Sequence, residues 1–171
     1  MNIVITGAVG VGKTSVCEKV AVLLKGQGIS CGGIITPKAT DGDIIIIDLM
    51  SGRSEILAAV VDIYRGPRIG RYYFNPLGIA FGIDAIERAK NTDVIFIDEV
   101  GPLELSGGGF AKALELVRSG KLRNSVMVIR EYLLEIFLEG MDNRVSIFET
   151  TLKNRDFLPE RICRALTYQS S

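Results

Sequence analysis

Residues 3–14 read Ile-Val-Ile-Thr-Gly-Ala-Val-Gly-Val-Gly-Lys-Thr, an apolar run that leads directly into the pattern G-x-x-x-x-G-K-T. This pattern is typical of the phosphate-binding loop (P-loop) between a strand and a helix. Because glycine has no Cβ, consecutive backbone N–H groups can turn inward, and the helix that follows directs its partial positive end to the same point. The stretch therefore predicts an anion-binding loop between the first strand and the first helix of an α/β fold.

Two side chains of the P-loop are suited to phosphate chemistry. Lys13 supplies a mobile positive charge for β- and γ-phosphates, and the hydroxyl of Thr14 is placed to ligate Mg²⁺. We therefore predict that a nucleoside triphosphate or diphosphate binds here. The residues predicted to bind it in this loop are Gly7, Ala8, Val9, Gly10, Val11, Gly12, Lys13, Thr14 and Ser15.

The length and composition predict one domain over residues 1–171. The chain is 47% hydrophobic and 23% charged, a composition typical of a globular protein. Its 20 basic and 20 acidic residues cancel. Zero net charge argues against a dedicated nucleic-acid binder, which usually carries a basic excess.

Further features of the composition predict the cellular setting. No secretory signal is recognised, and no apolar stretch reaches the ~18 residues that a membrane span requires. Cys17, Cys31 and Cys163 show neither a disulfide framework nor zinc-site spacing, so we interpret them as reduced, buried thiols. We expect a cytoplasmic protein and a monomer. The chain contains no histidine, so any general base must be a carboxylate or another group.

Strand and helix patterns alternate over most of the chain. Such alternation predicts a mostly parallel, doubly wound sheet. Between the first two helices, short polar turns join apolar runs, which predicts an inserted antiparallel β-meander at about residues 33–75. The remaining patterns predict helices at 14–25, 76–91, 110–119, 131–139 and 157–168, and strands at 93–97, 125–129 and 144–149.

Two carboxylates, Asp98 and Glu99, follow the apolar run 94–97. A strand with four consecutive apolar residues belongs in the sheet interior, and its carboxyl end lies at the edge where α/β sheets bind ligands. We predict that Asp98 holds Mg²⁺ opposite Thr14, and that Glu99 orients or deprotonates a water for attack on the γ-phosphorus. Glu104 is either a further acid near the metal or a solvated loop residue.

Four segments carry a resemblance to a known family: Gly7–Thr14, Ile97–Leu105, Gly66–Tyr72 and Asn154–Asp156. In their order along the chain they resemble the small P-loop nucleoside triphosphatases of archaea and thermophilic bacteria, a family that includes the human cancer-related nucleoside triphosphatase. The resemblance implies a three-layer fold with a RecA-like sheet. It also implies Mg²⁺-dependent hydrolysis of ATP, GTP and other nucleoside triphosphates, with broad base tolerance and a water-preparing glutamate beside the metal-binding aspartate.

The chain departs from the family pattern at two places. The turn at 40–43 is short where the family usually has an Arg- and Gly-rich turn. After the strand predicted at 125–129, the chain has Arg130 and Glu131 instead of the family's Thr-x-His type of ending. Arg130 either replaces that ending as a γ-phosphate sensor or, as we favour, is an exposed charge at the start of a helix.

Arginines in two loops are further candidates. Arg71, with Arg68 as second choice, is predicted to neutralise charge that develops on the γ-phosphoryl group, although both could be ordinary surface charges. Asn154 is predicted to hydrogen-bond a base edge, and the guanidinium of Arg155 to stack on the base. The alternative for this second loop is a capping role.

Two other functions remain open from the sequence. A small-molecule or nucleotide kinase shares this length and this loop, and the β-meander could close over its second substrate. A nucleotide-dependent switch protein is the other alternative, although the Asn-Lys-x-Asp motif typical of switch GTPases is absent from the sequence.

Overall fold

A single mixed sheet organises the computed structural model, which describes residues 1–139, 141 and 145–168. Helices pack on both of its faces. The strands in the described residues are β1 (Asn2–Thr6), β2 (Cys31–Ile35), β3 (Ile44–Asp48), β4 (Ser54–Ala59), β5 (Arg68–Ile69), β6 (Tyr72–Phe74), β7 (Val94–Val100), β8 (Ser125–Ile129) and β9 (Val145–Glu149). The α-helices are α1 (Lys13–Gly26), α2 (Pro76–Arg88), α3 (Pro102–Leu105), α4 (Ala111–Arg118), α5 (Leu134–Leu138) and α6 (Leu158–Thr167).

The strand order is β5-β6-β4-β3-β2-β7-β8-β1-β9. The five strands from β2 to β9 in this order are parallel. Strand β8 separates β1, which leads into the P-loop, from β7, which ends in the two carboxylates. The predicted α/β fold with a mostly parallel, RecA-like sheet is therefore confirmed.

The predicted β-meander is present, but its first strand belongs elsewhere. Strands β3 to β6 are antiparallel and extend the same sheet. Strand β2 instead pairs in parallel with β7 on one side and antiparallel with β3 on the other. Gly33 (φ +92°) permits this pairing, because a Cβ there would lie 2.1 Å from the carbonyl oxygen of Phe96.

Two hydrophobic clusters give the three layers that the family resemblance implies. Helices α1 and α6 cover one face of the sheet with side chains such as Val20 and Ile162. Helices α2, α4 and α5 cover the other face, with Ile86 and Phe137 among the buried residues. In the described part of the chain, no helix is long and apolar enough to cross a membrane.

The segment at 100–109 contains the short helix α3. Pro102 occupies its first turn, where a missing N–H costs nothing. Glu104 is buried, and its carboxylate accepts hydrogen bonds from the N–H groups of Gly101 (2.8 Å) and Phe110 (3.3 Å). Burial raises the pKa of this carboxyl group, and the hydrogen bonds oppose that shift. Glu104 is therefore not a solvated acid, because both of its oxygens hold the segment together.

Candidate active site

The P-loop lies at the carboxyl end of β1 and continues into α1. Gly10 (φ +83°) and Gly12 (φ +98°) adopt left-handed backbone conformations that favour glycine. Gly7 lies against the next segment of the sheet edge, because a Cβ at this position would approach the carbonyl oxygen of Thr150 to 2.4 Å. The local sequence thus gives the loop both its curvature and its close contact with the segment after β9.

Lys13 is directed back over its own loop. Its ammonium group donates hydrogen bonds of 2.8 Å to the carbonyl oxygens of Gly7 and Ala8. Burial lowers the pKa of Lys13, with a further contribution from the positive charge of Arg130, while Glu99 and Asp98 oppose this shift. The ammonium charge of Lys13 therefore lies at the P-loop, close to the two carboxylates of β7 and to the guanidinium of Arg130 after β8.

Asp98 is fully buried at the end of β7 and links two other elements. The hydroxyl of Thr14 donates a 3.3 Å hydrogen bond to one carboxylate oxygen, and the N–H of Thr36 donates a 3.1 Å bond to the other. Burial raises the pKa of Asp98 to about 7, with a further increase from Glu99, while the two hydrogen bonds oppose the shift. A buried carboxylate with this pKa gains strongly from a neighbouring cation.

The hydroxyl of Thr14 and the carboxylate of Asp98 fit Mg²⁺, which prefers oxygen ligands. Within the ranges that the structure describes, no group of three or more His, Cys, Asp or Glu side chains could form an all-protein metal cage. Mg²⁺ usually takes one or two protein ligands and completes its shell with water and phosphate oxygens. The pair therefore suits a metal that arrives with a nucleotide.

Glu99 lies at an irregularity of the sheet. The pairing of β7 with β8 shifts register between Asp98 and Val100, which leaves Glu99 outside the regular ladder. Its carboxylate forms an ion pair with the guanidinium of Arg130, and about a third of each side chain is exposed. Both side chains line the same cavity as the P-loop.

Arg130 does precede a helix, the short 3-10 helix Glu131–Leu133, but the structure corrects the expectation that its charge is exposed. The residue lies directly after β8, and its side chain is half-buried against Glu99. Burial alone would lower the pKa of Arg130, but the Glu99 carboxylate and the Tyr132 hydroxyl raise it above its usual value. The guanidinium is therefore a permanent positive charge within the site.

A cavity of about 980 Å³ extends from the P-loop to the antiparallel strands. Its volume lies at the upper end of the range usual for small-molecule pockets. The far wall is cationic and aromatic, since Lys38 and Arg71 lie 6.0 and 5.1 Å from the ring centre of Tyr72. Phe74 and Tyr132 also line this cavity.

The two candidate arginines of the β5–β6 hairpin differ in their surroundings. Arg71 lines the cavity and donates a 3.0 Å hydrogen bond to the Tyr72 hydroxyl. Arg68 instead donates to the carbonyl oxygen of Gly70 (3.1 Å) and lies over the ring of Tyr73. The geometry therefore favours Arg71 of the two, in the order that the sequence suggested.

The loop after β9 places its two candidate residues differently. The amide of Asn154 accepts from the N–H of Thr151 (2.8 Å) and donates to the carbonyl oxygen of Glu149 (2.9 Å), so it caps the loop. Arg155 is exposed and lies over the P-loop, with its Cδ 3.6 Å from where a Cβ on Gly12 would be. Arg155 thus remains available for a base, whereas the polar atoms of Asn154 hold the loop.

Several residues of the site were not identified from the sequence. Thr36 was assigned to the meander, which obscured that it ends a parallel strand at the binding edge. Lys38 and Tyr132 carry no motif, and Tyr72 belongs to a segment of the family resemblance but was given no role. The sheet order brings all three to the cavity. A helpful signal for Thr36 was its place after an apolar run that follows a helix.

Known proteins are similar to this chain over almost its whole length. A family model described as NTPase matches residues 2–163. The nucleoside-triphosphatase THEP1 of Methanopyrus kandleri is 35% identical over 168 residues, which cover 94% of this chain and 92% of that protein. The protein of the same name from Methanothermobacter thermautotrophicus is 36% identical over 165 residues, covering 92% of both.

Two solved structures are also similar. The crystal structure of THEP1 from the hyperthermophile Aquifex aeolicus has a TM-score of 0.81 at 26% identity, covering 98% of this chain and 99% of that one. The solution structure of a human cancer-related nucleoside triphosphatase has a TM-score of 0.78 at 23% identity, covering 98% and 97%. This second similarity bears on the fold alone.

Proposed function

The chain belongs to the nucleoside-triphosphatase family whose model spans residues 2–163, and we propose that it hydrolyses nucleoside 5′-triphosphates to diphosphate and phosphate with Mg²⁺. The observation that carries this proposal is the hydrogen bond from Thr14 to the buried Asp98, next to Glu99 in the chain. Thr14, Glu99 and Lys13 line the same cavity. The site brings together a phosphate cradle, a pair of metal ligands and a carboxylate.

In the proposed reaction, the backbone N–H groups of residues 10–13 hold the β-phosphate and Lys13 bridges towards the γ-phosphate. Thr14 and Asp98 hold the metal, which neutralises phosphate charge when bound. Glu99 accepts a hydrogen bond from the attacking water and takes its proton. The new bond joins the water oxygen to the γ-phosphorus, and the bond to the β,γ-bridging oxygen breaks.

Arginine residues supply the remaining roles in this proposal. Arg71 lies on the cavity wall, where its charge could offset the charge that develops on the γ-phosphoryl group. Arg155 stacks on the base, and Asn154 shapes the loop that presents it. Stacking on a planar guanidinium does not distinguish between bases, so this arrangement supports a broad base tolerance covering ATP and GTP alike.

The proposal includes the setting of the enzyme. The three cysteines are free and buried, which fits a reducing compartment, and we place the enzyme in the cytoplasm as a monomer. One observation favours a kinase as the second candidate. The cavity of about 980 Å³ extends beyond the P-loop, and Lys38 and Arg71 give its far wall the positive charge that an anionic acceptor requires.

The decisive experiment measures phosphate release from ATP, GTP, CTP and UTP, each with Mg²⁺ and with EDTA. Parallel reactions contain a panel of acceptors, including nucleoside monophosphates. The variant K13A, which lacks the cation of the P-loop and is purified identically, reports any contaminating phosphatase. We expect comparable Mg²⁺-dependent release from all four nucleotides without an acceptor. Transfer to an acceptor much faster than hydrolysis would replace the hydrolase with the kinase.

A further inference from the structure

Arg130, the residue directly after β8, lies close to both the P-loop and the two carboxylates of β7. Val128 pairs with Ile5 of β1 on one side and with Asp98 of β7 on the other. Arg130, two residues later, therefore leaves the sheet between the P-loop and the acidic pair. From this position its charge acts on Lys13 as well as on Glu99.

The Arg130–Glu99 ion pair is suited to exchange. One third of each side chain is exposed, so solvent screens the pair and makes it weak. A guanidinium prefers the planar, bidentate contacts that a phosphate offers, and a γ-phosphate carries more charge than one carboxylate. A triphosphate in the P-loop would therefore compete with Glu99 for Arg130.

We propose that Arg130 is a positioning residue that holds the Glu99 carboxylate until the γ-phosphate of a bound triphosphate takes over its guanidinium. While Glu99 accepts from Arg130, one of its oxygens is engaged in the ion pair, and the carboxylate is a poorer hydrogen-bond acceptor for a water. Transfer of Arg130 to the γ-phosphate frees that oxygen and adds a positive charge where the bond breaks. The inference rests on the proposed hydrolysis and adds its regulation by the γ-phosphate.

A double-mutant cycle tests this competition without any turnover. Binding of β,γ-imido-ATP with Mg²⁺ is measured for the wild type, E99A, R130A and E99A/R130A, and ADP is the ligand without a γ-phosphate. We expect E99A to bind the analogue about fivefold more tightly than the wild type, because Arg130 is released. R130A should bind it about tenfold more weakly, and ADP binding should change by less than about twofold in every variant.

The result in the double variant separates competition from simple charge removal. The gain from E99A must vanish when Arg130 is absent. A gain that persists in E99A/R130A, or no gain in E99A, would overturn the inference. If E99A does not fold, E99Q/R130A completes an equivalent cycle. R123A, which breaks the Arg123–Asp93 ion pair elsewhere on the surface, is the matched control and should bind like the wild type.

The binding cycle and the proposed function can be refuted independently of each other. Phosphate transfer to an acceptor would refute the hydrolase but leave the binding cycle intact. An unchanged cycle would leave hydrolysis in place without this regulation. A steady-state measurement adds a second readout, in which R130A lowers kcat by about 100-fold and R130K, which restores the charge without the planar fork, recovers part of it.

Discussion

Thr14 donates a 3.3 Å hydrogen bond to the carboxylate of Asp98, across 84 residues of sequence. The contact joins the start of α1 to the end of β7, and the N–H of Thr36 binds the second oxygen from the end of β2. Two elements thus hold a buried carboxylate that a third, β7, supplies. These hydrogen bonds orient the two candidate metal ligands, Thr14 and Asp98, at the edge of the sheet.

The first prediction concerns the pH dependence of stability without metal. The pKa of Asp98 is about 7 in the folded chain against 3.8 for an ordinary aspartate, so the folded state retains a proton that the unfolded state releases. The contribution of Asp98 to the free energy of unfolding is therefore greatest below pH 3.8 and falls as pH rises to about 7. D98N removes this loss.

Thermal unfolding in EDTA at pH 5.5 and pH 8.5 measures the effect. We expect the Tm of D98N to exceed that of the wild type at pH 8.5 by about 5 °C, and the difference to shrink at pH 5.5. E131Q, at an exposed acid lining the same cavity, is the control and should show no such trend. An equal difference at both pH values would contradict the raised pKa.

The second prediction concerns the water-activating carboxylate. E99Q keeps the shape of the side chain but cannot accept a proton, so kcat should fall by about 10²–10⁴-fold. Affinity for ADP should be unchanged, because Glu99 is not part of the phosphate cradle. Single-turnover hydrolysis and equilibrium binding separate the two effects. Normal hydrolysis by a variant that still binds nucleotide would remove Glu99 from the reaction.

The third prediction compares two arginines of the same hairpin. R71A should lower kcat by about 10-fold or more, because Arg71 lines the cavity. R68A is the matched control and should stay within about twofold, because Arg68 binds Gly70 and Tyr73 instead. Steady-state kinetics with ATP measure both. Equal rates for the two variants would make Arg71 an ordinary surface charge.

Local sequence predicted the parts of the fold that depend on local physics. Residues 3–14 contain a strand, a loop and a helix start in one contiguous pattern, and the strand before Asp98 is apolar throughout. Both features follow from backbone geometry and burial. Most helices and strands lie close to their predicted positions for the same reason. Helix α6, for example, spans Leu158–Thr167, and the prediction was 157–168.

The remaining features depend on strand order, which no local pattern encodes. Turn signals near residues 40–43 correctly indicate a hairpin, but they do not reveal that β2 has a parallel partner on its other side. The place of Thr36 beside Asp98 was missed for this reason. The ion pair between Arg130 and Glu99 was missed for the same reason, because this contact exists only when β8 and β7 are neighbours.

The fourth prediction tests how β2 enters the sheet. In G33A, the new Cβ would lie 2.1 Å from the carbonyl oxygen of Phe96, at a φ of +92°. We expect a loss of about 3 kcal/mol or more in the free energy of unfolding, measured by urea denaturation. G28A is the control, because its φ is also positive but its Cβ meets nothing within 4 Å. Equal losses would assign the effect to backbone strain alone.

The fifth prediction addresses base tolerance. Arg155 lies over Gly12 of the P-loop and presents a planar cation, whereas the amide of Asn154 is committed to its own loop. R155A should therefore weaken binding of ATP, GTP, CTP and UTP by a similar factor of about five to ten, because a guanidinium stacks on any base. K153A, at an exposed lysine of the same loop, should change these affinities by less than about twofold. Equilibrium binding of the four nucleotides measures both variants. Unaltered affinity in R155A would exclude stacking, and a loss for one base alone would indicate that the loop reads a base edge and that tolerance has another origin.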